Sequence, residues 1–442
     1  MAGRIGIAGH RITRRFMLPD LIEIVPLLEP VNAEVTAPGS KSITNRALVL
    51  AALAHGEVTL HGALWSEDTQ VMTMALQQLG FEIETKRDVR EFCNRDIRVK
   101  GLNGKIPRGG TAEEPLELFV GNAGTAARFL AALVCLGQGV YRLRGVKRMH
   151  ERPQGALLHA LRELGYRIEA DRDHLPAVIH GTGPRAARCK ISIDESSQFA
   201  SALLLCAAAG DWTVKLTGEA LEDAAYVAMT RQLIATFPRE GGKFQIEADA
   251  SSASYFLAAD WLFGRQPGTR IEVAAFPKSS WQIDAVFPKF LPLPPKISRA
   301  SDLGDSIMTA IVLAPFAERA TMFTELGRLR VQECERVAAL RTELTKCGAK
   351  VLERGQSLTV YPSTEKLHGA KIETYNDHRM AMCFAIMGLK VEGIKIKNPA
   401  CVKKTFPNFF QKLAAPAPAG LGAVILDPAT GKALSSEQLF AG

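Results

Sequence analysis

The sequence predicts an α/β protein built from repeated units, and three observations support this class. Short turns of small and polar residues open directly into apolar helices at six places along the chain. A helix, a glycine and an alternating segment follow one another at three further places, which is typical of a helix end and a strand start. Internal repeats of this kind indicate the architecture of a chain more directly than any single helix or strand does. The six turns occupy residues 38–46, 121–128, 195–201, 249–254, 303–306 and 375–379.

The first turn shows why these segments predict binding sites. Pro38 and Gly39 interrupt the backbone, serines beside them offer capping oxygens, and an Ala- and Leu-rich helix follows. The first N–H groups of a helix have no partner inside it, and the helix dipole makes that end positive. Lys41 and Arg46 add two full charges. The segment is therefore suited to a phosphate or a carboxylate, with an ordinary surface helix as the alternative.

Three near-copies of another join indicate the second half of each unit. Residues 75–84, 160–169 and 340–351 each have the pattern of an amphipathic helix, a glycine and a strand. Together with the turns, they predict a unit of strand, helix, strand, helix and strand, used six times. The alternative is a chance likeness among Ala- and Leu-rich helices.

The composition is that of a globular protein, and its net positive charge indicates either anionic ligands or an ordinary basic surface. The 442 residues are 47% hydrophobic and 23% charged, and no apolar run is long enough to span a bilayer. A net charge of +8 favours anionic ligands, whereas dispersed basic residues and only 7% aromatic residues disfavour nucleic acid. Eight cysteines without a CxxC pair predict reduced core thiols in a cytoplasmic protein, and neither a disulfide framework nor a zinc site.

The two ends of the chain differ from the rest in composition. Residues 1–17 contain four arginines and no acid, which predicts a disordered extension, with a transit peptide as the alternative. Residues 414–442 begin with an Ala-, Pro- and Gly-rich stretch and are expected to form a flexible C-terminal tail.

Taken together, the motifs resemble the enolpyruvyl transferase family. The match extends from about Glu29 to Leu413, and its segments follow the order of the family. Such a set is far more specific than any one motif. The segments are PGSKS (38–42), NR (45–46), GNAGTAAR (121–128), RMHERP (148–153), SSQ (196–198), DASSASY (249–255), YNDHRMAM (375–382) and KTFP (404–407).

The resemblance implies a two-domain inside-out α/β barrel. Six repeated βαβαββ units would form two similar domains that are joined by a double crossover, with helix N-termini facing an interdomain cleft. One domain would contain residues 18–39 and 248–413, and the other residues 40–247, with three units in each.

The resemblance also implies an activity. The enolpyruvyl group of phosphoenolpyruvate would be transferred to the 5-hydroxyl of 3-phosphoshikimate, with release of phosphate, in the shikimate pathway of chorismate and aromatic amino acid biosynthesis. No metal or organic cofactor is implied, and a cytoplasmic monomer with small-molecule substrates and no nucleic-acid or membrane partner is expected. The residues implied for 3-phosphoshikimate are Lys41, Ser42, Arg46, Ser196, Ser197, Gln198, Asp305 and Gln332. Those implied for phosphoenolpyruvate are Lys41, Gly124, Arg148, Gln198, Arg336, Arg379 and Lys404.

The catalytic groups are likewise implied by the resemblance. Asp305 matches the base that removes the hydroxyl proton, and Glu333 matches the acid that protonates the methylene carbon, with Lys41 as a second candidate. The residues alone favour a helix N-cap for Asp305 and a solvated helix acid for Glu333.

Three positions depart from the family pattern. Gln332 stands where a lysine is usual, Asp223 where a serine is usual, and Phe129 where a proline is usual. Because Gln332 is neutral, Arg328 and Arg330 just upstream are hypothesised to replace the missing charge.

Three alternatives remain open on these residues. Transfer to a UDP-amino sugar is typical of a branch with a reactive loop cysteine, but residues 137–148 have none and Cys135 falls in an apolar helix. An RNA 3′-phosphate cyclase would use His378 as a nucleophile, yet the sequence has no Walker-type loop. A non-catalytic phosphate-binding relative is disfavoured because Asp305, Glu333 and Lys41 are all present.

Overall fold

A computed structural model describes residues 18–194, 196–218, 224–264 and 266–442, which form a mixed α/β fold as predicted. The strands are β1 Leu21–Ile24, β2 Asn32–Thr36, β3 Glu57–Leu64, β4 Ile83–Arg87, β5 Asn94–Lys100, β6 Leu116–Phe119, β7 Gln138–Arg144, β8 Arg167–Ala170, β9 Ala177–Thr182, β10 Ala187–Ser192, β11 Trp212–Thr217, β12 Gly242–Gln245, β13 Arg270–Ala274, β14 Lys296–Ser298, β15 Thr321–Thr324, β16 Val351–Arg354, β17 Ser357–Val360, β18 Lys371–Ile372, β19 Ile394–Lys397, β20 Ile425–Asp427 and β21 Lys432–Ala433.

The helices alternate with these strands. They are α1 Lys41–Leu53, α2 Glu67–Gln78, α3 Gly124–Leu133, α4 Lys147–Glu151, α5 Gly155–Glu163, α6 Ser197–Gly210, α7 Ala224–Thr236, α8 Ala250–Phe263, α9 Ile307–Leu313, α10 Arg336–Lys346, α11 His378–Gly388 and α12 Phe409–Ala414. Among the described residues, none of the helices has both the length and the apolar composition needed to cross a membrane.

All six predicted turns lead into helices, namely α1, α3, α6, α8, α9 and α11. Every residue of α3 and of α11 is buried, because these helices are apolar on all sides and lie inside the protein. The expected serine cap of α1 is wrong. The side chain of Ser40 makes no capping bond, and its backbone N–H instead donates to the carbonyl oxygen of Glu247 at 2.8 Å.

The three predicted glycine joins are also confirmed. Helices α2, α5 and α10 are followed by Gly80, Gly165 and Gly348, whose φ angles are +97°, +90° and +86°. Glycine adopts this left-handed region without steric cost, so it ends each helix and turns the chain into β4, β8 and β16.

Three four-stranded sheets share one pattern of strand pairing within the described residues, although the edge strand β12 of the first sheet comes from a distant part of the chain. Their strand orders are β12-β3-β5-β4, β6-β7-β9-β8 and β14-β15-β17-β16. In each sheet the first two strands are parallel and the other two neighbouring pairs are antiparallel. The remaining sheets are the parallel pairs β10-β11 and β13-β2 and the five-stranded sheet β18-β19-β1-β20-β21. A repeated strand order is the pattern that repeated sequence units predict.

Two hydrophobic cores organise the chain. One is built from residues within 43–246, and the other from residues within 18–35 and 255–441. The chain passes between them where Gly39 and Ala248 form an antiparallel bridge. The backbone N–H of Asp249 donates to the Pro38 carbonyl at 2.8 Å, so the two passages lie side by side.

The C-terminal segment differs from the flexible tail expected from its composition. Strand β20 pairs with β1, β21 pairs with β20, and Leu439 is fully buried in the second core. Scattered apolar residues therefore anchor a segment whose Ala-, Pro- and Gly-rich start suggested disorder. The predicted N-terminal extension, residues 1–17, lies outside the described residues.

Candidate active site

The six turns converge on one cavity between the two cores. Each of the six helices contributes at least one lining residue from its turn or its first residues. These residues are Lys41, Gly124, Ser197, Ser251, Asp305 and His378. The positive ends of several helices therefore surround a single space, which suits anionic ligands.

Most of the predicted site residues line this cavity. They are Lys41, Ser42, Arg46, Gly124, Ser197, Gln198, Asp305, Gln332, Glu333, Arg336 and Arg379. The other three predicted residues contact lining residues. Arg148 Nη2 donates to the Gln332 carbonyl at 3.0 Å, Lys404 Nζ lies 3.4 Å from Glu333, and Ser196 Oγ accepts from the Gln198 N–H at 3.2 Å.

Arg46 is held by neutral groups. Its Nε donates to Thr230 Oγ1 at 2.7 Å, Nη1 to the Ser42 carbonyl at 2.9 Å, and Nη2 to Ser201 Oγ at 3.1 Å. The guanidinium also lies 5.3 Å from the ring centre of Phe129, one of the departures from the family pattern. Burial lowers the pKa of Arg46 to about 10, so the group stays charged at neutral pH. None of these partners neutralises its charge.

Two lysines meet at an acid that the sequence did not single out. Lys41 Nζ lies 3.2 Å and Lys404 Nζ 3.7 Å from the carboxylate of Asp68, which is buried in the first turn of α2. Lys404 also donates to the Asn122 carbonyl at 2.9 Å. Asp68 therefore links a lysine of one core to a lysine of the other.

Three guanidinium groups surround Asp305. Arg379 Nη2 lies 3.1 Å from Oδ2, while Arg299 Nη2 and Arg336 Nη1 lie 3.4 Å and 3.8 Å from Oδ1. Burial by itself raises the pKa of the Asp305 carboxyl, but Arg379, Arg336 and Arg299 hold that pKa well below its usual range. The N-cap of α9 is Ser306, so the helix-cap interpretation of Asp305 is wrong.

Glu333 is buried rather than solvated. Its carboxylate accepts from Arg336 Nη2 at 2.8 Å and lies 3.4 Å from Lys404 Nζ. Burial by itself raises the pKa of Glu333, but Arg336, Lys404 and Arg152 together bring it well below the usual value. Both predicted catalytic carboxyls are therefore ionised at neutral pH in this structure.

A second missed acid holds the turn that carries Asp305. The carboxylate of Asp284 accepts from the backbone N–H of Gly304 at 2.8 Å and from that of Ser306 at 3.2 Å. It also accepts from the hydroxyls of Ser306 and Ser251. Burial raises the pKa of Asp284, and the bonds to Ser251 and Ser306 oppose that rise. Asp284 therefore fixes the residues on both sides of Asp305.

The residues that depart from the family pattern, and the arginines hypothesised to compensate, have different positions relative to the cavity. The side-chain oxygen of Gln332 accepts from Arg336 Nη1. Arg328 lines the cavity, whereas Arg330 pairs with Glu335 and Glu353 and does not line it. Of the two arginines hypothesised to replace the missing charge, only Arg328 is therefore in position. The third departure, Asp223, lies outside the described residues.

The two residues considered for the alternative functions, Cys135 and His378, are both buried, although His378 also lines the cavity. Cys135 is inaccessible, and burial raises the pKa of its thiol well above the ordinary value. Burial, and then the charges of Arg379 and Lys41, lower the pKa of His378, so its ring is neutral at pH 7. In the part of the chain that the structure describes, no group of three His, Cys, Asp or Glu residues could hold a metal ion.

Comparisons with known proteins point to one family. The model of the EPSP synthase (3-phosphoshikimate 1-carboxyvinyltransferase) family matches residues 27–287 and 271–413. The chain is 38% identical over 435 residues to a 3-phosphoshikimate 1-carboxyvinyltransferase of Trichormus variabilis, covering 89% of this chain and 98% of the relative. It is also 38% identical over 437 residues to the protein of that name from Opitutus terrae, covering 90% and 97%.

Solved structures share the fold. EPSP synthase from Acinetobacter baumannii matches with a TM-score of 0.71 at 20% identity, covering 92% of this chain and all of that one. The enolpyruvyl transferase NikO from Streptomyces tendae matches with a TM-score of 0.66 at 16% identity, covering 94% and 99%. Since the family model and the sequence relatives extend over most of its length, the chain belongs to the EPSP synthase family.

Proposed function

We propose that the protein transfers the enolpyruvyl group of phosphoenolpyruvate to the 5-hydroxyl of 3-phosphoshikimate and releases phosphate. The observation that carries this proposal is a pair of ionised, largely buried carboxyls, Asp305 and Glu333, which share Arg336 at one cavity. Family membership supplies the substrates, and the geometry supplies groups that can move protons beside fixed cations.

The charge of the substrates explains the basic cavity. Together they bring two phosphates and two carboxylates into one space, and such groups are stable out of water only beside matching cations. Arginine suits this task because its fork binds carboxylate or phosphate through two parallel bonds. The helix N-termini that surround the cavity add partial positive charge.

Each substrate has its own set of proposed contacts. The turn of α1 and the start of α6 would hold 3-phosphoshikimate, while the cations beside Asp305 and Glu333 would supply most of the contacts to phosphoenolpyruvate. The contacts for 3-phosphoshikimate are Lys41, Ser42, Arg46, Ser196, Ser197, Gln198, Asp305 and Gln332. Those for phosphoenolpyruvate are Lys41, Gly124, Arg148, Gln198, Arg336, Arg379 and Lys404.

In the first step, the 5-hydroxyl oxygen attacks the enol carbon of phosphoenolpyruvate. The hydroxyl proton passes to the Asp305 carboxylate, which is ionised and therefore able to accept it. The methylene carbon takes a proton from Glu333 or Lys41 and becomes a methyl group. The result is a tetrahedral adduct in which the enol carbon carries both oxygens.

In the second step, the bond between that carbon and the phosphate oxygen breaks. The methyl group returns one proton, and phosphate leaves with the electron pair of the broken bond. Positioning of the two substrates and fixed positive charge supply the rate, because both steps develop charge beside Arg336, Arg379 and Lys404.

Glu333 is ionised in the unliganded site, so it can act as an acid only if it takes up a proton when substrate binds. Arg336 and Lys404 are among the cations that lower its pKa in the unliganded site. A bound phosphate or carboxylate would compete for the same two cations and add negative charge nearby. The pKa of Glu333 would then rise, so substrate binding itself would prepare the proton that the methylene carbon receives.

We also propose that residues 18–39 with 248–413, and residues 40–247, are two domains of three repeated units each, arranged as an inside-out barrel, with residues 414–442 packed onto the first of them. The two hydrophobic cores and the shared strand pairing of three sheets support this division. Contacts between the cores, such as Arg148 to Gln332 and Lys404 to Asn122, are consistent with a cleft that closes on its substrates.

One assay tests the proposal. Purified protein is mixed with 3-phosphoshikimate and phosphoenolpyruvate, and phosphate release is followed over time. Release should require both substrates. A parallel reaction with UDP-N-acetylglucosamine as the acceptor should release none, and the opposite pattern would assign the protein to the UDP-amino sugar branch.

A further inference from the structure

Arg299 is a buried cation at the cavity that has no assigned role. It directly follows β14, where its backbone N–H donates to the Thr324 carbonyl at 3.1 Å. Its side chain is only 4% exposed, and it lines the same cavity as Asp305. The position of Arg299 is therefore fixed by the sheet, and its charge faces the proposed substrates.

Few of its donors are satisfied by the protein. A guanidinium has five N–H donors. Among the described residues, the side chain of Arg299 makes one contact, from Nη2 to Asp305 Oδ1, and at 3.4 Å this is a long one. Its Nε is buried without a hydrogen-bond partner in the same part of the chain. Burial of a charge without full pairing is costly, so this arrangement favours an anionic ligand.

The neighbouring Arg336 provides the contrast. Its guanidinium bonds to Asp377 through Nε at 2.7 Å, to Glu333 through Nη2 at 2.8 Å, and to Gln332 through Nη1. Arg336 therefore has most of its donors engaged by the protein. Arg299 is buried to a similar extent, but most of its N–H donors remain available to a ligand in the cavity.

We propose that Arg299 binds an anionic group of the acceptor, the phosphate or the carboxylate of 3-phosphoshikimate, beside the hydroxyl that Asp305 deprotonates. This inference rests on the proposed function. It adds a substrate-binding residue to the turn that carries the base, because both residues belong to the segment between β14 and α9.

The surroundings of Arg299 point to the acceptor rather than to phosphoenolpyruvate. Arg299 and Tyr226 line the same cavity, and the pKa of Tyr226 is raised by burial, Asp305 and Asp284 and lowered in part by Arg299 and Arg379. The Tyr226 carbonyl accepts from Thr230 Oγ1, which in turn accepts from Arg46, a proposed contact of the acceptor. Two of the cations proposed for phosphoenolpyruvate, Arg336 and Lys404, instead contact Glu333, whereas Arg379 contacts Asp305 as Arg299 does.

The test compares Arg299→Gln and Arg299→Lys with Arg341→Gln, which removes an exposed arginine that pairs with Glu353 outside the cavity. Binding of 3-phosphoshikimate alone is measured by calorimetry, and both KM values come from phosphate release. Loss of a charge-assisted bond should raise the Kd and the KM for 3-phosphoshikimate by about 10- to 100-fold in Arg299→Gln. The KM for phosphoenolpyruvate should change by less than about 3-fold, and Arg341→Gln should match the wild type.

Two further measurements identify the bound group and guard against misfolding. Shikimate, which lacks the phosphate, is used as a second ligand. A loss confined to 3-phosphoshikimate assigns Arg299 to the phosphate, and an equal loss with shikimate assigns it to the carboxylate. If Arg299→Gln does not fold in a thermal unfolding scan, Arg299→Lys carries the test, because it keeps the charge while losing the fork and should still weaken binding.

A different pattern would overturn the inference. If the Kd for 3-phosphoshikimate is unchanged while kcat falls and the acidic limb of its pH profile moves to higher pH, Arg299 acts only on Asp305, since removal of a cation raises the pKa of that carboxyl. The two proposals can fail separately. A wild type that binds 3-phosphoshikimate through Arg299 but releases no phosphate contradicts the activity alone, and full turnover with unchanged binding in the variants contradicts the inference alone.

Discussion

The two walls of the cavity differ in the net charge of their lining residues. We define the first wall as the lining residues within 40–247 and the second wall as those within 248–442. Among the described lining residues, the first wall has three cations and one acid, whereas the second wall has four cations and four acids, with His378 neutral. A wall with net positive charge suits binding of anions, and a wall of balanced charge suits movement of protons between groups of tuned pKa.

Arg46 and Arg336 illustrate the difference. Arg46, in the first wall, is held by hydroxyls and a carbonyl, so its charge remains available to a ligand. Arg336, in the second wall, bonds to two carboxylates and lies near a third, so its charge mainly sets the pKa of its neighbours. We therefore expect Arg46 to contribute mainly to binding, and Arg336 both to bind phosphoenolpyruvate and to set the pKa of the carboxyls beside it.

The largest effect should come from Asp305→Asn in the second wall. The amide cannot accept the hydroxyl proton, so kcat should fall by about 10³-fold or more, within the usual range for a general base. Phosphate release with saturating substrates measures this. Asp302→Asn, in the same segment between β14 and α9 but not lining the cavity, should keep nearly full activity. Equal activity of Asp305→Asn and the wild type would remove the base from the mechanism.

Glu333→Gln should have the next largest effect. Loss of the proposed acid should lower kcat by about 10²- to 10³-fold, less than the loss of the base, because Lys41 is a second candidate donor. The matched control is Glu335→Gln, which changes the N-cap of α10 outside the cavity. That control should cost about 1 kcal/mol in the free energy of unfolding and leave kcat unchanged. If both variants lose activity alike, Glu333 has no special role.

Substitution in the first wall should affect binding more than the chemical step. Arg46→Gln should raise the KM for 3-phosphoshikimate by about 10- to 100-fold and change kcat by less than about 5-fold. Steady-state kinetics with each substrate varied in turn separates the two effects. Arg142→Gln, which removes an exposed arginine paired with Glu117, serves as the control. A fall in kcat with an unchanged KM would show that the two walls do not divide their tasks in this way.

The smallest effect concerns stability at low pH. The pKa values of Asp305 and Glu333 are lower in the folded protein than in the unfolded chain, where they are about 4. Their contribution to stability is therefore fully present above that pH and is lost as the pH falls towards the folded-state values. Between pH 6 and pH 3, the free energy of unfolding in urea should drop by about 1 kcal/mol more in the wild type than in Glu333→Gln. Parallel curves would contradict the lowered pKa of Glu333.

Local patterns made much of the fold predictable. A glycine after an amphipathic helix ends that helix wherever the chain then folds, so the joins at Gly80, Gly165 and Gly348 could be located from the sequence. The six turns could be located because small and polar residues stand directly before apolar helices. The end of the chain was misjudged because a few apolar residues such as Leu439 outweigh a composition typical of loops once they meet a core.

The site was predictable only where its residues belong to motifs. Lys41 and Arg379 lie in segments with recognisable neighbours, but Asp68, Asp284 and Arg299 stand alone in the sequence. Asp284 acts on Gly304 and Ser306, some twenty residues later, and that contact exists only after β14 and α9 have packed. Buried charges that hold the motif residues in place are therefore found from the structure and not from residue spacing.

The adjacent passages of the chain at Gly39 and Ala248 have a consequence for the arrangement of the gene. Because the polypeptide departs and returns at adjacent points, residues 40–247 resemble an insert placed in a host sequence. We expect that a short linker could join residue 39 directly to residue 248. We also expect that residues 40–247, expressed alone, could be circularised or circularly permuted, because their two ends lie close together. Two separately encoded fragments should then be able to reassemble into the working cavity.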